Sequence, residues 1–79
     1  MKLSIYSLKK ILFAGNASLL NCNTIAGEIT VLDNHEPYIG MLNRGVMKVV
    51  DNNKKENFFE IKSGFLEVRR GNEVRCIVD

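Results

Sequence analysis

Seventy-nine residues, 46% of them hydrophobic and 25% charged with a net charge of +2, describe one globular domain over 1–79 and exclude long disorder. A chain this short buries only about 60% of the surface its unfolded form exposes. Its core alone is therefore marginal, and a partner surface is expected to complete it.

In chain order, Leu3, Ile5 and Ser7 alternate with polar neighbours and predict a half-buried strand. Turn chemistry follows at Gly15-Asn16 and at Asn21 to Asn23. The stretch 27–37, G-E-I-T-V-L-D-N-H-E-P, holds the only histidine, His35, and the only proline, Pro37, and reads as one rigid acidic loop with Asp33-Asn34 as a turn. Further turns are expected at Asn43-Arg44-Gly45, Asp51-Asn52-Asn53 and Ser63-Gly64. Phe59 and Ile61 alternate with Phe58, Glu60 and Lys62, and Val74, Cys76 and Val78 alternate with Glu73, Arg75 and Ile77, while Arg70-Gly71-Asn72-Glu73 between strands reads as a tight hairpin loop. No window between these breakers keeps a helical period long enough for a stable helix. Short strands at roughly 8 to 12-residue spacing predict an all-β fold, a two-sheet antiparallel β-sandwich, or failing that a barrel.

Side chains that carry chemistry are sparse. Cys22 and Cys76 lack a C-x-x-C spacing and have only His35 beside them, too little for a zinc site, so they are expected as small buried hydrophobes in preference to the alternative, a disulfide. There is no G-x-S-x-G, no paired-carboxylate scaffold and no phosphate-binding glycine motif, which implies no catalytic residues, no cofactor and no metal. Lys9-Lys10, Lys54-Lys55 and Arg69-Arg70 with Phe58-Phe59 suggest nucleic-acid binding, but Glu56, Glu60, Glu67 and Glu73 interleave with them. Nucleic acid is not the expected partner. The N-terminal residues resemble a lipoprotein signal ending at Leu19-Leu20-Asn21-Cys22, yet Asn16 and Ser18 interrupt the apolar run and Asn21 suits a cleavage site poorly. That run also falls far short of the roughly 20 residues of a membrane-spanning helix, so direct membrane insertion is not expected. From Ile11 to Asn43 there is no Lys or Arg, only Glu28, Asp33 and Glu36. An otherwise basic chain thus carries an acidic third, suited to presenting carboxylates to a basic partner.

This acidic stretch resembles the epsilon subunit family of F-type ATP synthases, whose first domain carries a pattern close to E-G-E-x-G-[IV]-L-P-G-H-A-P and later G-G-[FIV]-L-E-V. Gly27-Glu28, Val31-Leu32, His35 and Pro37 match the first block in register, Gly45-Val46 match a middle signal, and Gly64-Phe65-Leu66-Glu67-Val68 match the last. Ile11-Leu12-Phe13-Ala14-Gly15 is similar to the family's early L-F-x-G turn. Ala26, Thr30, Asp33-Asn34 and Ser63 depart from the pattern. Asn tolerates the left-handed conformation and Asp caps it, so the turn is retained, while β-branched Thr30 calls for extended backbone.

The resemblance implies a non-catalytic rotor subunit of the central stalk that docks the gamma subunit to the polar loops of the membrane c-ring. It implies c-ring docking by Glu28, Ile29 and Thr30 and a gamma interface at His35, Pro37 and Val46. It further implies a peripheral location on the cytoplasmic face of the bacterial inner membrane. Most members continue into a helical hairpin with inhibitory or ATP-binding roles, which are not assigned to residues 1–79. Phe58, Phe65 and Ile77 occupy outward strand positions and are candidates for the gamma contact, unless they line the second sheet's core. The alternative is a nucleic-acid or protein-interaction β-module.

Overall fold

The computed structural model describes residues 1–79 as eight strands without a helix: β1 Lys2–Tyr6, β2 Ile11–Thr24, β3 Gly27–Leu32, β4 Tyr38–Leu42, β5 Gly45–Asp51, β6 Glu56–Ile61, β7 Gly64–Arg69 and β8 Glu73–Val78. Hydrogen bonding links them in the order β1-β8-β7-β4-β2-β5-β6, with β3 and β1 also paired to β2. Two leaves result, β4-β7-β8-β1 and β3-β2-β5-β6, and β2 belongs to both. Its first half pairs with β1 from Lys2↔Asn16 to Tyr6↔Ile11, and its second half pairs with β3 and β5.

The handover is made by a bulge. Phe13 lies opposite core residue Ile5, and Ala17 is buried, so odd positions from Phe13 to Ala17 point inward, while a register shift opposite Ile5 and Tyr6 turns Ile11 outward. Leu20, Cys22 and Thr24 are buried in the second half, where even positions point inward. One extra residue in a strand exchanges its faces. The register shift between Ala17 and Leu19 supplies that residue, and the Ser18 hydroxyl donates to the Val50 carbonyl at 3.3 Å.

Both leaves contribute to one core of Leu3, Ile5, Leu66, Val68, Val74, Cys76 and Val78 facing Leu20, Cys22, Val31, Met47, Val49 and Ile61. The expected alternations of β1, β6 and β8 are therefore present, as is the all-β sandwich. Four expectations need correction. Gly15-Asn16 and Asn21 to Asn23 lie inside β2, because ladder bonds to β1, β3 and β5 override their turn preference. The stretch 27–37 is not one loop, since residues 27–32 form β3 against β2 and only 33–37 connect to β4. The pairing is not wholly antiparallel either, because β1 runs parallel to β8 from Lys2↔Glu73 to Tyr6↔Ile77. Ser7, expected as the third inward position of the first strand, lies past its end.

Candidate functional site: two ends and one outer face

Strand direction sorts the candidate residues between two opposite ends. At one end lie Met1, the 33–37 connection, and the hairpin loop at 70–72. The Met1 α-ammonium donates to the Ala17 carbonyl at 2.8 Å and pairs with the Asp33 carboxylate, which also accepts from Asn72 Nδ2 at 3.3 Å. Hydrogen bonds from the amine and from Asn72, with the amine's charge behind them, hold the Asp33 carboxyl below its ordinary range. Asn34 takes the left-handed conformation at φ 61°, donates its amide to Asn72 Oδ1 at 2.8 Å, and lets the His35 amide reach the Leu32 carbonyl at 3.2 Å. The Asp-Asn turn therefore forms as its residue types require. His35, half-buried, donates Nδ1–H to the Glu36 carbonyl at 2.7 Å, and Pro37 is exposed before β4.

Glu28 lies toward the other end. Only Gly27 precedes it in β3. At about 3.3 Å per residue, on the order of 13 Å of strand separates it from Leu32, where the His35 loop begins. Glu28 and Thr30 point outward and are exposed, while the Ile29 side chain between them packs against the core. Of the c-ring trio, Ile29 thus turns its side chain toward the core and not toward a partner. Asn21 of β2, register partner of Thr30, ties the group together: its Nδ2 donates to Glu28 Oε2 at 3.0 Å and to Thr30 Oγ1 at 2.9 Å, with the Ile29 carbonyl at 3.4 Å. The gamma trio is divided. Val46, exposed near the start of β5, shares a shallow groove with Arg44, Glu60 and Lys62, far along the strands from His35 and Pro37.

A third feature is apolar. The registers Met41↔Phe65, Phe65↔Ile77, Ile77↔Tyr6 and Tyr6↔Ile11 align five side chains across β4, β7, β8, β1 and β2 on the outer face of one leaf. Phe65 is 53% exposed and Ile77 43%, so neither belongs to a core. Ile39 extends the row along β4. Phe58 is also exposed, but on the other leaf, opposite Lys48. Phe65 and Ile77 were legible as outward apolar positions. Met41, Tyr6 and Ile11 were not, because only cross-strand register places them beside those two. Asn21 was missed because Asn21 to Asn23 read as a turn and not as part of a strand.

Cys22 and Cys76 are free and buried. Burial pushes the Cys22 thiol up to about 11, and burial with Cys22 nearby raises Cys76 further. Neither is a nucleophile at neutral pH. No group of three His, Cys, Asp or Glu side chains is arranged to hold a metal ion.

The chain is thus a small β-sandwich with an apolar stripe on one outer face, polar ends and buried thiols. Residues 1–79 match the family model described as ATP synthase, Delta/Epsilon chain, beta-sandwich domain, and the chain belongs to that family. It is 35% identical over 65 residues to the ATP synthase epsilon chain of Psychrobacter arcticus, covering 82% of this chain and 47% of that one. It is 36% identical over 67 residues to that of Clostridium novyi, covering 85% and 51%. The chain thus spans about half the length of these relatives. Among solved structures, a chain of the Euglena gracilis mitochondrial ATP synthase, in an OSCP/F1/c-ring assembly, superposes with a TM-score of 0.91 at 22% identity, over 99% of this chain and 49% of that one. A chain of the Tetrahymena thermophila mitochondrial ATP synthase central stalk and c-ring gives 0.85 at 17%, over 99% and 62%. These two likenesses concern the fold.

Proposed function

We propose that this domain is a non-catalytic rotor element of an ATP synthase central stalk, holding the gamma subunit against the c-ring so that proton translocation is coupled to ATP synthesis. The observation that carries the reading is the family match over all 79 residues. A torque-bearing part needs stiffness and two separate attachments. Stiffness comes from a bulged β2 stitched into both leaves. The attachments are the polar group of Glu28 and Thr30, with the Ile29 backbone, for the c-ring loops, and the Met41-Phe65-Ile77 stripe with the His35 and Pro37 loop for gamma. Val46 stands apart from that stripe and serves gamma only if the partner wraps round the sandwich. The complex sits peripherally on the cytoplasmic face of a bacterial inner membrane, and no nucleic acid takes part.

Glu28→Lys tests the reading. Rim charges act chiefly on association rate and its salt dependence. The variant should assemble more slowly onto ring-containing complexes, with the larger deficit at low salt, and bind isolated gamma as before. An equal loss toward gamma alone would assign Glu28 to the wrong partner, and unchanged assembly would remove the docking role.

A further inference from the structure

The geometry points to Asn21 as the positioning residue of the Glu28 docking group. This inference rests on the docking role proposed for Glu28 and assigns what makes that carboxylate competent. A free Glu side chain on a strand explores many rotamers and loses that freedom on binding. Here one carboxamide spends its two N–H donors on Glu28 Oε2 and Thr30 Oγ1, at 3.0 and 2.9 Å, from a neighbouring strand in fixed register. Glu28 Oε1 and Asn21 Oδ1 are left as acceptors on one outward surface, since no intramolecular hydrogen bond engages either. A preset pair of oxygens, one anionic, is the complement of a guanidinium fork. The partner group is therefore an arginine side chain on a c-ring loop. Thr30 is the second anchor, because its hydroxyl fixes the roll of the Asn21 amide. Lys48, opposite Asn21 on β5, is engaged by Glu56 at 3.1 Å and so does not compete for Glu28.

The test is a double-mutant cycle between Asn21 and Glu28, read as the association rate of the intact subunit with its cognate gamma and c-ring complex stripped of that subunit. Asn21→Leu keeps bulk and removes both donors, and Asn21→Gln keeps a carboxamide. The expected result is that Asn21→Leu slows association by roughly threefold or more and flattens its salt dependence, as Glu28→Gln does. Asn21→Gln should retain most of the rate, and the Leu substitution should add nothing in the Glu28→Gln background. If Asn21→Leu folds poorly by thermal melt, Asn21→Ala carries the same cycle without added bulk. A rate loss that adds to that of Glu28→Gln, or no loss beside a clear Glu28→Gln defect, overturns the positioning role and leaves the docking role standing. No defect from Glu28→Gln overturns both.

Discussion

At the scale of single residues, the Asp33 carboxylate and the two thiols show how environment decides chemistry. Asp33 has a depressed carboxyl because the Met1 amine and Asn72 stabilise its charged form. A depressed folded value means that the unfolded chain takes up this proton first. The contribution is thus complete above the ordinary carboxylate range near 4 and is lost as pH falls through the lower folded value. Urea midpoints of the native chain and of Asp33→Asn should converge as pH drops below about 4, and parallel curves down to acid pH would show that the pair contributes no linkage. Cys22 and Cys76 are core atoms first. A thiol-reactive dye at pH 8 should find neither in the folded chain and both in denaturant; fast labelling of the native protein would contradict their burial.

At the scale of elements, β2 explains the most. Fourteen residues serve two leaves because the bulge between Ala17 and Leu19 reverses which parity faces inward. The two halves then alternate out of phase, so the segment does not read as one continuous strand. Gly64 opens β7 under a different constraint, since a Cβ there would lie 2.2 Å from the Ile77 carbonyl oxygen. A backbone atom cannot step aside as a side chain can. Gly64→Ala should destabilise by about 1–3 kcal/mol, as other overpacked sites do, measured by chemical denaturation; a neutral substitution would mean that β7 and β8 separate easily at that end.

At the scale of the whole molecule, fold and binding surface are divided between the two faces of the same strands. Leu66 is fully buried and its neighbour Phe65 is more than half exposed. Leu66→Ala should cost about 2–5 kcal/mol of stability. Phe65→Ala should stay within about 0.5 kcal/mol, as surface changes do, while weakening the binding of gamma. Equal stability losses from the pair would place Phe65 in a core and remove the stripe from the interface. Far-UV circular dichroism of the folded chain should be β-dominated, and a helical content near one third would refute the sandwich.

The sequence by itself determined the fold class, the inward faces of β1, β6 and β8, and the Asp33-Asn34 turn. Each is written in local pattern or backbone preference: alternation, breaker spacing, and the readiness of Asn for positive φ. Glu28, His35 and Pro37 were legible as a motif for the same reason, being close together in the chain. Proximity in sequence did not bring them to one place, because β3 lies between Glu28 and the loop. Tertiary structure alone decided what depends on pairing between distant segments. β2 became one bulged strand because ladder partners outweigh the turn preference of Gly15, Asn16 and Asn21. Asn21 reached Glu28 and Thr30 only through the register of β2 with β3. Met41, Phe65, Ile77, Tyr6 and Ile11 became neighbours only when five strands from across the chain aligned. Register between such strands is fixed by burial of their shared core, a property of the assembled sheet and of no single segment.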